Sequence, residues 1–135
     1  MKKIITYFVA LFITVFTLQA EQIKLLAIGN SFSDDAIEHY LYDIAYAAGV
    51  TIIIGNMYIG GCSLERHYNN SINNSPNYSY RKIVDGVKTI TADYNLIDAI
   101  GDEEWDYISF QQVSSLSGIY DSYFPYIEHL IHFAK

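Results

Sequence analysis

The sequence predicts an α/β domain in which helices cover a parallel sheet, and three observations predict it. Ile23 to Ile28 is a short, largely apolar run that stops at Gly29, the pattern of a buried strand. Val50-Thr51-Ile52-Ile53-Ile54 is β-branched and apolar on both faces, as a strand covered by helices on each side must be. Between the two, Ile37, Leu41, Ile44, Ala45 and Ala48 recur at helical spacing behind the acids Asp34 and Asp35. Strand, helix and strand within about thirty residues make a βαβ unit.

Residues 1–20 stand apart from the fold. Lys2 and Lys3 precede an apolar run from Ile4 to Leu18, and Leu18-Gln19-Ala20 offers a small residue for cleavage. That pattern is a secretory leader, and the run is short for a stable membrane anchor, which is the competing reading. The sequence therefore predicts an exported protein, periplasmic or extracellular and bacterial, with no stable membrane insertion after cleavage. The mature domain is expected over 21–135.

The formal charge is −7 over 135 residues, and losing Lys2 and Lys3 makes it more negative. Phosphate binding needs clustered Lys and Arg, so nucleic acid is excluded as an expected partner. Cys62 is the single cysteine, which rules out an internal disulfide framework and points to packing instead. A reactive thiol needs electropositive surroundings, and only Arg66 is near in sequence. The thirteen tyrosines suit half-buried ring-and-hydroxyl positions, with a carbohydrate-stacking surface as the alternative.

Farther along, Gly49 falls where a helix ends. Residues 56–77, rich in Gly, Asn and Ser, read as loop. Asp85-Gly86 between the β-prone runs 78–84 and 87–91 signals a hairpin, a helix through the same stretch being the rival. Asp93 is placed to cap a short helix through Leu96, Ile97 and Ile100. Trp105 to Gln112 reads as a third core strand, and Tyr123 to Lys135 as a helix turning Tyr126, Leu130 and Phe133 inward. Three core strands are few for such a sheet, and the chain stops inside that last helix, so a missing C-terminal part is expected.

The sharpest local feature is Gly29-Asn30-Ser31-Phe32-Ser33 between a strand and a helix. A serine there lies on the ligand-binding edge of an α/β sheet, beside a helix N-terminus that favours a developing oxyanion. Either Ser31 is a nucleophile, or Ser31 or Ser33 caps the helix.

Leu25 to Ser33 resembles the first block of SGNH (GDSL-type) hydrolases, with Asn30 in place of the customary Asp. Asn56 to Leu64 resembles their second block and puts Gly61 at its glycine. Together with Trp105-Asp106-Tyr107-Ile108-Ser109-Phe110-Gln111-Gln112, these blocks resemble a branch of that superfamily met in exported bacterial proteins. The resemblance implies a three-layer flavodoxin-like parallel sheet and a serine esterase that removes acyl groups from a small-molecule or carbohydrate ester, with no cofactor. It gives Ser31 the nucleophile's role and the backbone N–H groups of Ser31 and Gly61 an oxyanion role. The asparagine of the third block is replaced by Gln111-Gln112. Gln112 is the expected amide donor, Gln111 the second choice, and a polar pair pinning loop backbone the alternative to both.

The family's closing Asp-x-x-His block is absent from the sequence. His39 is expected to face solvent, Asn30 and Gln111 are further possible pocket residues, and His67 either lines the pocket or packs its loop. His129 and His132 have i, i+3 spacing, but no further ligand accompanies them, so no metal is expected. A serine without an adjacent base is a weak nucleophile, so these residues alone are expected to lack turnover. An exported glycan-binding module on the same fold is the alternative function. A structural fragment that pairs its sheet edge with another chain is a third; the oligomeric state is not legible.

Overall fold

A computed structural model describes residues 22–135, and the leader assigned to residues 1–20 lies outside them. Strands β1 (Gln22–Gly29), β2 (Thr51–Tyr58), β3 (Tyr78–Val84), β4 (Val87–Tyr94) and β5 (Tyr107–Phe110) form one sheet in the order β4-β3-β2-β1-β5. β1 pairs parallel with β2 and with β5, whereas β3 pairs antiparallel with both β2 and β4. The sheet is therefore mixed, and the expectation of a purely parallel one is corrected. The hairpin read from Asp85-Gly86 is present, with both turn residues at positive φ. It extends the sheet beside β2 with two antiparallel strands.

Helices cover both faces because successive strand residues point to opposite sides. Leu26, Ile28, Met57, Tyr78 and Tyr80 face one core with Leu96, Ala99, Trp105 and Phe133. That side carries α3 (Leu64–Ile72), α4 (Leu96–Gly101) and α5 (Tyr126–Phe133). Ile52, Ile54 and Ile83 face the other core, under Ile37, Leu41, Tyr42 and Ala45. The expected first helix is broken there into a single turn, α1 (Ser31–Ser33), a π-helical stretch (Asp34–Glu38) and α2 (Leu41–Ala47). The wider π turn rotates the helical face. Ile37, Leu41 and Ala45 reach the sheet, while Ile44 is left exposed.

Two further expectations are corrected. Residues 56–77 are not all loop: β2 runs on to Tyr58, and α3 occupies Leu64–Ile72. The buried face of α3 holds His67, Asn70 and Ser71 besides Leu64, so it lacks the apolar period that reveals a helix. Its readable signal was the cap, Ser63, whose side chain accepts from the Arg66 N–H with Glu65 in the first turn. Asp93 does not cap α4; it lies in β4 at positive φ, and Asn95 accepts from the Asp98 N–H instead.

β5 lies at the sheet edge, with Ile108 and Phe110 half-buried. Its approach is held by charge. Lys24 and Lys82 both grip Glu103, at 2.9 and 2.6 Å, and Lys82 also reaches Asp102 at 2.7 Å. The hydrogen bonds from Lys82 and Lys24 hold the Glu103 carboxyl below its ordinary pKa. Among the described residues no helix is long and apolar enough to cross a membrane.

Gly55, in central β2, leaves room for Trp105. A methyl group there would sit 2.8 Å from the Trp105 ring and 2.9 Å from Leu26, and Trp105 is tethered by its Nε1 donating to the Ala99 carbonyl at 2.9 Å. Gly55→Ala is therefore expected to destabilise the protein by about 1–3 kcal/mol, the cost of overpacking a core. Urea unfolding measures it, with Gly101→Ala, which meets open space, as the comparison.

Candidate active site

The carboxyl ends of β1, β2 and β5 bring three turns to one edge of the sheet. β1 ends in Gly29, where any Cβ would meet Ser33 Oγ at 2.6 Å and Gln111 Oε1 at 2.9 Å. Asn30 follows, almost fully buried. Its Oδ1 accepts from the Phe32 N–H at 3.2 Å, so Asn30 caps α1 and neither serine does. Its Nδ2 donates to the Cys62 carbonyl at 3.0 Å and the Gln112 carbonyl at 3.3 Å. One carboxamide thus joins the serine turn, the glycine turn and the exit of β5.

Ser31 is exposed at the first position of α1, where a backbone N–H has no intrahelical acceptor. Its hydroxyl has no hydrogen-bond partner among the described residues. Ser33, by contrast, is buried, with Oγ 2.7 Å from the Asn30 carbonyl and 2.9 Å from Asn56 Oδ1. Asn56 in turn donates to Glu38, which Arg81 holds at 3.2 Å and Lys88 also grips. Arg81 reaches Asp34 as well, at 3.1 Å, and lies over the Tyr58 ring.

Gly61 sits in an exposed turn with φ +62 and nothing near a would-be Cβ. The Ile59 N–H donates to the Gly29 carbonyl at 3.2 Å, which draws this turn against the serine turn. The left-handed backbone, rather than crowding, is what calls for glycine here.

The two glutamines differ in their surroundings. Gln112 is buried; its Nε2 donates to the carbonyl and hydroxyl of Ser122 at 3.0 and 3.2 Å, and its Oε1 accepts from Leu64 and Val113. Its amide is thus directed at the loop around Ser122. It pins loop backbone. Gln111 accepts from the Asn30 N–H through Oε1 at 3.3 Å, and its Nε2 has no partner among the described residues. Gln111 also lines a cleft of about 390 Å³ with Phe32, Phe110, Gln112, Ser114, Ser117 and Tyr123.

His67 does not line that cleft, which corrects its candidacy as a pocket residue. It is fully buried in α3, stacked on Tyr78, with Nδ1 2.9 Å from the Tyr78 hydroxyl and 3.5 Å from Cys62 Sγ. Burial first, and Arg66 second, lower its pKa to about 3. Cys62 is equally buried, and burial pushes its thiol up to about 12. Both are core groups held in their neutral forms. His39 is exposed against the Asp34 carbonyl, and His129 meets the Tyr68 ring edge-on at 4.6 Å. Among the described residues no three His, Cys, Asp or Glu side chains lie together as metal ligands.

Fold and site together define an α/β protein that presents an exposed serine on a strand-to-helix turn, with the following Phe32 lining an aromatic-walled cleft. The chain belongs to the family described as Domain of unknown function (DUF4886), whose pattern matches residues 24–135. It is similar to a DUF4886 family protein from Bacteroides uniformis of known crystal structure, with 56% identity and a TM-score of 0.82. That likeness covers 84% of this chain and 44% of the other, so the chain spans less than half the length of that relative. No curated protein matches.

Two measurements test this geometry. Asn30→Asp puts a carboxylate against two carbonyl oxygens and is expected to cost about 1–3 kcal/mol in urea unfolding at pH 7. Those carbonyls raise the folded-state pKa above the unfolded value of about 3.9, so the deficit should shrink as pH falls toward about 4. Equal stability at pH 7 would show that the Nδ2 bonds carry nothing. For His67, the unfolded chain binds a proton near pH 6.5 and the folded chain only near pH 3, so stability falls as pH drops across that window. His67→Gln should flatten this part of the stability profile.

Proposed function

We propose that this chain is the nucleophile-bearing part of an exported serine esterase of the SGNH type, acting on acylated carbohydrate. The single observation that carries the reading is Ser31. It is exposed and has no side-chain partner among the described residues, while Asn30 and Ser33 hold the turn around it. Had Ser31 been the cap, its hydroxyl would be engaged in structure. Parallel pairing of β2, β1 and β5 and the helices on both faces support the flavodoxin-like arrangement on which such enzymes are built.

In the proposed reaction Ser31 Oγ attacks the ester carbonyl carbon. A general base takes the hydroxyl proton, the C–O bond to the alcohol breaks, and the proton passes to the departing alkoxide. Water then reverses the sequence and releases the acid. The oxyanion would be held by the N–H groups of Ser31 and Gly61, with the Gln111 Nε2 as third donor in place of Gln112. Such donors each contribute about 3–4 kcal/mol to the transition state. Among the described residues, no histidine lines the cleft. Export rests on the leader-like residues 1–20, and the carbohydrate on that export and the abundance of tyrosine.

The expected result is that a fluorophosphonate probe modifies Ser31 in the intact protein, and that Ser31→Ala abolishes labelling while leaving the fold intact. Labelling that survives Ser31→Ala, or maps to Ser33 or Ser63, overturns the assignment. Glycan binding without any labelling would favour a non-catalytic binding module.

A further inference from the structure

We infer that the cleft lined by Phe32, the residue after Ser31, seats the acyl half of the ester, and that this acyl group is uncharged, larger than acetyl and tipped with an aryl ring. The inference rests on the serine-esterase reading above and names its substrate class. Its starting point is which polar atoms of the cleft are already engaged. Ser117 Oγ donates to the Ser114 carbonyl at 2.9 Å, and the Tyr123 hydroxyl donates to the Ser117 carbonyl at 2.9 Å. Gln112 directs its amide at Ser122. Among the described residues that leaves the Gln111 amide and the Ser114 hydroxyl as uncommitted donors in the lining. A sugar ring carries several hydroxyls, each of which loses its water partners on burial and needs replacements. With so few uncommitted donors and three aromatic walls, the lining matches an acyl group better than a sugar ring.

The walls then set its character. Phe32, Phe110 and Tyr123 present ring surface, and Phe32 is 50% exposed next to the serine. Apolar walls with a few directed polar groups are how small-molecule pockets are built, and ring faces favour a second ring in offset or edge-on contact. A volume of about 390 Å³ is far more than an acetyl group fills, so acetyl would leave the walls wet. None of the lining residues is charged and the chain is acidic overall, so a carboxylate-bearing acyl group would be buried without a cation. A rigid ring also loses less conformational freedom than an alkyl chain of equal size. Gln112 acts here as a positioning residue: with Ser122, whose Oγ lies 3.0 Å from the Leu116 carbonyl, it holds the cleft wall that carries Tyr123.

The test titrates the intact protein with 3-phenylpropanamide, acetamide and succinamate, read by NMR at the backbone amides of Ser114, Ser117 and Tyr123. Rates on p-nitrophenyl 3-phenylpropanoate and p-nitrophenyl acetate are measured alongside. 3-Phenylpropanamide should bind at least about tenfold more tightly than acetamide, with succinamate weaker still, and kcat/KM should follow the same order. Tyr123→Ala should reduce the aryl-to-acetyl ratio about tenfold, and Tyr123→Phe, which keeps the ring, should restore it. Equal binding of the three amides, or a preference for acetate with Ser31 labelled, overturns the acyl assignment and leaves the esterase standing. Aryl binding with Ser31 unlabelled overturns the esterase reading and reduces the site to an aryl-binding cleft.

Discussion

The edge of the sheet that carries Ser31 depends on one buried carboxamide. Asn30 bonds through its side chain to the Phe32 N–H and to the carbonyls of Cys62 and Gln112, while its own N–H donates to Gln111. These partners come from three segments far apart in the chain. An amide is the side-chain group that supplies two donors and an acceptor from one planar unit. A carboxylate offers acceptors alone and would face two carbonyl oxygens. This gives a physical reason for Asn where the resembled motif has Asp: here the residue must donate.

A second layer of polar contacts ties the serine turn to the β3–β4 hairpin. The connection runs from the Asn30 carbonyl through Ser33 and Asn56 to Glu38, and from there to Arg81 and Lys88. The Ser33 hydroxyl has one hydrogen for two acceptors, so its bond is shared between Asn30 and Asn56. Glu38 is a buried anion, and it is tolerable because two cations and an amide surround it. The antiparallel hairpin therefore has a consequence beyond widening the sheet: it delivers the charges that hold the segment following Ser31. Chemistry is also separated by burial. Cys62 and His67, both reactive residue types, are sealed in the core and neutral, while Ser31 is open to solvent.

Much of this architecture was legible in the sequence. The β1–helix–β2 unit, the Asp85-Gly86 hairpin, the β5 strand and the last helix follow from apolar period and turn chemistry, which act over a few residues. Helix α3 was hidden because its buried side carries His67, Asn70 and Ser71, and a buried polar face has no hydrophobic period. The break in the first helix was equally hidden, since nothing local to Asp34–Glu38 announces a π turn. Pairing decided what pattern left open: an antiparallel hairpin added to β2 makes the sheet mixed, and strand sequences do not encode which edge they join.

For the site, the sequence by itself determined that a serine would stand at the strand-to-helix turn, with a glycine after the second strand and two amides after the last. It could not say which amide is free. Gln111 and Gln112 are neighbours of the same type, and only the path of the loop 113–124 past Ser122 engages the amide of one, while the other meets the Asn30 N–H. The same holds for the cap, which the sequence offered to two serines and the fold gave to Asn30. It holds for His67 too, whose place beside a loop in sequence became a place in the core. Local chemistry fixes which residues are available, but hydrogen-bond partners more than eighty positions apart, such as Asn30 with Gln112, exist only once the chain has folded.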